Sequence, residues 1–205
     1  MRIVFSLVLI LCNFTLSSQQ SGFILIENKG QWHRDVLFKT DLKNGHLYTT
    51  KNGFVYDFYD EKKLSDFYEN HYNNLHLSKN KKLKKHAYRV QFKNSDFSTV
   101  IKNQPTKHTF NYFKGNKNSW KSNVKGYHHI TYKNVYPDID IQLYTKLIHL
   151  KYDLIVKPGG DPYQIKLFYE GIDDISIKRE RLHIYTSVNH VIEDKPYAYQ
   201  LINGE

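Results

Sequence analysis

Residues 127–171 read YHHITYKNVYPDIDIQLYTKLIHLKYDLIVKPGGDPYQIKLFYEG, and this stretch decides the fold class. Ile130 and Tyr132 alternate with His129, Thr131 and Lys133. Ile139, Ile141 and Leu143 alternate with Asp140, Gln142 and Tyr144. Leu150, Tyr152, Leu154 and Val156 repeat the pattern, and so do Ile165, Leu167 and Tyr169. A period of two is what a sheet with one face in a core requires, and the residues in it are the aromatic and β-branched types that strands prefer. Pro137-Asp138 divides the first two runs and Pro158-Gly159-Gly160-Asp161-Pro162 the last two. Proline lacks the ladder donor and glycine adopts positive φ freely, so both are turns. The stretch predicts four short strands closed by a turn at Gly171–Asp174.

The same alternation extends in both directions. Leu47–Thr50 and Phe54–Tyr56 flank Lys51-Asn52-Gly53, a hairpin signal. Tyr88, Val90 and Phe92 form a further run, with Phe97–Ile101 as its expected partner. Phe110–Phe113 ends at Lys114-Gly115-Asn116-Lys117. After the central stretch, Ile175 and Ile177, then Leu182 and Ile184, read as strands around a charged turn at Lys178–Arg181. Glu27-Asn28-Lys29-Gly30 reads as a turn, and Trp32 after it as a core anchor. No strand is followed by a long amphipathic helix, so a βαβ sheet does not fit. The expected fold is all-β: an antiparallel β-sandwich or two packed β-sheets.

Residues 60–87 break the pattern. Leu64, Phe67 and Tyr68 fall at helical spacing, which predicts a short helix. HLSKNKKLKKH follows, with five lysines between Lys79 and Lys85. We read residues 76–86 as a solvated lysine-rich loop, since long insertions between strands cost little.

The first 18 residues, MRIVFSLVLILCNFTLSS, have the form of a secretory signal peptide: Arg2, an apolar run from Ile3 to Leu11, then the small residues Ser17 and Ser18. Leu11 before Cys12 is too bulky for a lipidation site. Cleavage would remove the only cysteine, leaving residues 19–205 as a β-rich domain without disulfides. That length suits one sizeable core, or two subdomains meeting near 120–127. No later run is long enough for a membrane-spanning helix. These features place the protein outside the cytoplasm, in the periplasm or beyond the cell. The terminal Val191–Gln200 segment reads as half a hairpin, as at the front of a longer protein.

The chain carries 30 Lys plus Arg against 20 Asp plus Glu, with 17 Tyr, 12 Phe and 2 Trp. A basic, aromatic composition suits nucleic acid, but export makes that partner the less favoured one. There is no HExxH, Walker loop, GxSxG or CxxC. Asp138, Asp140 and Asp153 form the best candidate acidic cluster, provided that the strands carrying Asp140 and Asp153 pair. Such a cluster could serve glycoside hydrolysis or hold calcium. A turn at Pro137-Asp138 and a solvent face for Asp153 account for these acids better. His128 and His129 are adjacent, so on a strand their rings face opposite sides. Only one of them could join His183 or His190 on a metal.

Several segments, in order, resemble the N-terminal domain of very large secreted proteins of gliding and related Bacteroidota. They are Phe23-Ile24 with Glu27–Trp32, then Asn52-Gly53-Phe54, Tyr112-Phe113 with Gly115–Trp120, and Tyr132–Asp140. Leu150–Asp153, Val156–Pro162 and Glu193–Gln200 complete the set. Proteins of that kind often continue into β-propeller-like or immunoglobulin-like repeats and commonly end in a type IX sorting domain. This sequence has neither, and its Lys79–Lys85 insertion is unusually basic. The resemblance implies a non-catalytic domain of an exported protein, acting in adhesion or envelope assembly. Its partners would be other domains of a longer protein, envelope proteins or surface glycans. No catalytic, cofactor-binding or metal-binding residue is carried over. The alternatives are a glycan-binding or glycan-active domain using Trp120, surface tyrosines and the aspartates, and polyanion binding through the lysine-rich loop.

Overall fold

A computed structural model describes residues 22–72, 83–146 and 149–199. The signal-like segment and the centre of the lysine-rich run lie outside the described residues. The strands are β1 (Leu25–Glu27), β2 (Val36–Leu42), β3 (Gly45–Thr50), β4 (Gly53–Tyr59), β5 (Lys85–Phe92), β6 (Val100–Tyr112) and β7 (Lys121–Tyr136). They continue as β8 (Ile139–Lys146), β9 (His149–Val156), β10 (Leu167–Glu170), β11 (Asp174–Lys178), β12 (Arg181–Tyr185) and β13 (His190–Glu193). An α-helix, α1 (Glu61–Tyr72), follows β4. It starts where expected because Asp60 caps it: the Asp60 side chain accepts from the Lys63 N–H at 3.1 Å.

All pairings among the described strands are antiparallel. A ten-stranded sheet runs β10-β5-β4-β3-β2-β1-β7-β8-β9, with β6 also paired to β7, and a three-stranded sheet runs β11-β12-β13. The large sheet curls on itself. Phe54 of β4 meets Tyr152 of β9 with ring centroids 5.7 Å apart, although five strands separate them in sheet order. Inside the curl Leu25, Phe38, Leu47, Phe92, Tyr132, Ile139, Ile141 and Leu143 are buried. Each such side chain contributes about 1.5–3 kcal/mol through burial. A second cluster joins the sheets: Ile184 of β12 packs with Phe58, Tyr88 and Val90. The fold is thus two packed antiparallel sheets, as the alternation predicts.

Particular residues explain the turns. Gly53 follows the two-residue turn Lys51-Asn52, and a Cβ there would sit 2.1 Å from the Val90 carbonyl oxygen. The glycine lets β5 approach β4, in addition to tolerating its φ of +147°. Arg179 and Glu180 both take positive φ, as a two-residue hairpin turn with the sheet's twist demands.

Three local expectations are corrected. Phe97–Ile101 does not pair with Tyr88–Phe92; Val100 and Ile101 begin β6 and pair with β7, while Phe97 is fully buried under Phe54, Phe92 and Tyr132. Phe92 instead pairs with Leu167 of β10. Trp32 is half-buried on the flank of the sheet, edge-on to Tyr112 at 5.4 Å, because the turn before it keeps it outside the curl. Lys85 and His86, assigned to the lysine-rich loop, belong to β5, and Lys85 pairs with the buried Asp57. The stretch 120–127 forms most of the first half of β7.

Candidate functional site

The register brings β8 beside β9, with Gln142 opposite Asp153 and Asp140 opposite Ile155. The condition for the predicted acidic cluster is therefore met, yet the acids do not converge. Asp138 sits in the β7–β8 turn at φ +58°, and its carbonyl accepts from the Lys157 N–H at 2.8 Å. Asp153 is exposed. Asp140 alone is buried, bonded to the Lys133 ammonium, to Lys157 Nζ at 2.8 Å and to the Asn134 N–H at 2.8 Å. Burial pushes its pKa up, but the bonds from Lys133, Lys157 and the Asn134 amide win, and the carboxyl is held below its ordinary value. A general acid needs the opposite shift.

Two other buried acids also sit against basic side chains. Glu27 bonds Lys102 Nζ at 2.8 Å and the Lys125 N–H at 3.2 Å, with Lys29 Nζ at 3.4 Å. Burial opposes ionisation there, and those donors outweigh it, so the carboxyl is lowered. It borders an open cleft of about 420 Å³ that Arg34, Phe38 and Lys102 help to line. Asp57 takes His46 Nδ1 at 2.7 Å as well as Lys85. Glu193 differs. It meets the large sheet beside Tyr169, Tyr88, Tyr56 and Tyr152, and burial raises its pKa although a bond from Tyr169 partly offsets this.

His183 and His190 meet each other, Nδ1 to Nε2 at 3.0 Å, while His129 lies against Thr131 and Tyr144. Among the described residues no group of three or more His, Cys, Asp or Glu is arranged to hold a metal ion. No helix among them is long and apolar enough to cross a membrane.

The most distinctive surface is the end of the β6–β7 hairpin. None of the 13 residues of β6 is buried, and every residue from Phe113 to Trp120 is exposed. Phe113 and Trp120 are 63% and 42% exposed and lie against each other with ring centroids 5.1 Å apart. The tip between them is ordered by its own bonds: Ser119 N–H to the Asn116 carbonyl at 2.8 Å, Trp120 N–H to the Lys117 carbonyl at 3.1 Å, and indole Nε1–H to the Gly115 carbonyl at 3.3 Å. The turn at 28–32 buttresses the base. Lys29 Nζ donates to the Asn123 carbonyl at 2.9 Å, and Trp32 packs on Tyr112.

Residues 97–137 contain seven lysines and no aspartate or glutamate. Lys102 and Lys133 are spent on Glu27 and Asp140. No carboxylate among the described residues pairs with Lys107, Lys114, Lys117, Lys121 or Lys125. This acid-free stretch is visible in the sequence, but a search for dense lysine runs passes over it and stops at 79–85. Trp120 stands out in the sequence by type; in the sequence Phe113 reads as the end of a strand and Lys114 and Lys117 as the turn after it.

The chain is thus an antiparallel two-sheet β protein that presents a cationic, aromatic-ended hairpin. It belongs to a family described as a domain of unknown function (DUF7948), whose model matches residues 25–205. No curated protein and no solved structure matches the chain.

Proposed function

We propose that the chain is a non-catalytic binding module of an exported or cell-surface protein, acting in adhesion or envelope assembly. The observation that carries this is the contrast between its acids and its hairpin. The buried carboxylates Asp140, Glu27 and Asp57 are paired with lysines, and Asp57 also bonds a histidine, whereas the Phe113–Trp120 end is ordered, exposed and uncompensated in charge. Preorganised aromatic groups on a rigid scaffold are what a recognition surface needs. The signal-like residues 1–18 and the resemblance to N-terminal domains of large secreted Bacteroidota proteins support an extracytoplasmic setting.

The test has two arms. Protein recovered from cells is sequenced from its N-terminus: a start near residue 18 in an exported fraction fits the proposal, and an intact Met1 on a cytoplasmic product contradicts it. The full chain is also co-sedimented with insoluble cell-envelope material while released sugars and peptides are assayed. Saturable binding without release supports a binding module. Turnover that Asp140→Asn or Asp153→Asn abolishes, with folding intact, would overturn it in favour of a glycan-active enzyme.

A further inference from the structure

We infer that the end of the β6–β7 hairpin is a binding site for an acidic polysaccharide. Trp120 and Phe113 would take the apolar faces of sugar rings, and Lys114, Lys117, Lys121 and Lys125 their carboxylates. This deepens the reading of the domain as a binding module and rests on it.

Charge complementarity comes first. Five lysines of the hairpin have no carboxylate partner among the described residues, and residues 97–137 offer none locally. Spaced cations without acids between them attract a polyanion and exclude polycations. The rings come second. Large exposed aromatics side by side on an ordered tip offer flat apolar area with little entropy left to lose on binding. A sugar ring with an apolar face and a charged substituent matches both features at once.

The geometry favours this partner over two other polyanions. Single-stranded nucleic acid is held by aromatic platforms on which successive bases stack. Here the two rings are inclined at 59° to each other, so they do not form parallel shelves. An anionic membrane surface would take apolar residues at the apex, but the apex here is Gly115-Asn116-Lys117-Asn118-Ser119. Pushing those amides into lipid would strip their hydration.

Polygalacturonate is the probe, with dextran as the neutral control, applied to the full chain by affinity electrophoresis over a range of salt. Retardation by polygalacturonate and none by dextran is expected. Lys114→Gln/Lys117→Gln should reduce the slope of log affinity against log salt by roughly two, about one per lysine removed. Trp120→Ala should weaken binding on the order of tenfold. The lysine pair keeps both rings, so the result does not hang on the aromatic variant alone. All three residues are exposed, so the thermal midpoint should hold in both variants. Equal retardation by dextran, indifference to both variants, or tighter binding to single-stranded DNA or to phosphatidylglycerol vesicles would each overturn the assignment. Envelope binding that survives both variants would overturn it while leaving the module reading in place. Loss of envelope binding by the wild type would remove both.

Discussion

Asp140 offers the sharpest test of how this fold tolerates a buried charge. Its carboxylate is 3% exposed and accepts two ammonium bonds and one backbone bond. Charge-assisted bonds contribute about 1.5–3 kcal/mol each, and breaking a buried ion pair costs about 3–5 kcal/mol. The lysine side chains are 33% and 32% exposed, so both can turn toward water, which lowers the cost. Asp140→Asn keeps an acceptor for the Asn134 N–H and should cost about 2 kcal/mol. Asp140→Ala leaves that N–H unpaired and two cations adjacent, and should cost about 3 kcal/mol. At a urea dependence of roughly 2 kcal/mol per molar, the midpoints should fall by about 1 M and 1.5 M. Asp153→Asn, on an exposed site, should stay within about 0.5 kcal/mol of wild type. The folded pKa of Asp140 lies below its unfolded value, so its stabilisation is complete above the unfolded pKa and is lost as pH falls through the folded one. The gap between wild type and Asp140→Asn should therefore close in acid below about pH 4. An Asp140→Asn midpoint no different from that of Asp153→Asn, or a gap that widens in acid, would refute the reasoning.

Gly53→Ala should destabilise by about 3 kcal/mol or more, since its Cβ would meet the Val90 carbonyl oxygen at 2.1 Å with backbone on both sides; a thermal melt matching wild type would contradict this. Glu193 has the opposite linkage to Asp140. Its folded pKa is raised, chiefly by burial, so its native state holds a proton that the unfolded chain loses, and stability declines as pH rises above about 4.5 through the folded pKa. Glu193→Gln should therefore raise the urea midpoint at neutral pH and leave it unchanged near pH 4; a lower midpoint at neutral pH would show that the carboxylate stabilises the sheet contact. His86 links the two sheets, with Nε2 2.6 Å from the Gly171 carbonyl and Nδ1 accepting from the Ser187 N–H at 3.2 Å. His86→Ala should cost about 1–2 kcal/mol and speed amide exchange in β12 and β13 more than in β8; equal change in both would contradict a local role.

The strands were legible because their pattern is local. Ile139, Ile141 and Leu143, or Tyr88, Val90 and Phe92, declare a buried face within a few residues, and all six are buried. The Leu64, Phe67 and Tyr68 spacing likewise located α1. Partner choice was not legible, because it depends on contacts distant in the chain. Nothing near Leu167 says that it lies beside Phe92, and nothing near Phe97 says that an irregular segment fills the core. The pairing of the strands that carry Asp140 and Asp153 was legible, but the acids do not converge, and the setting of Asp140 turns on Lys133 and Lys157, which reach it from β7 and from just beyond β9 only once the register is set. The hairpin surface was half-legible: Trp120 attracts notice by type, while its setting is marked by acids that are missing.

The two tryptophans allow the central claim to be read directly. In Trp32→Phe, Trp120 is the sole indole reporter; in Trp120→Phe, Trp32 is. Polygalacturonate added to Trp32→Phe should give a saturable change in emission that high salt reverses, while Trp120→Phe responds weakly. A response confined to Trp120→Phe, or none from either protein at concentrations where binding is otherwise seen, would place recognition away from the hairpin end and contradict the account.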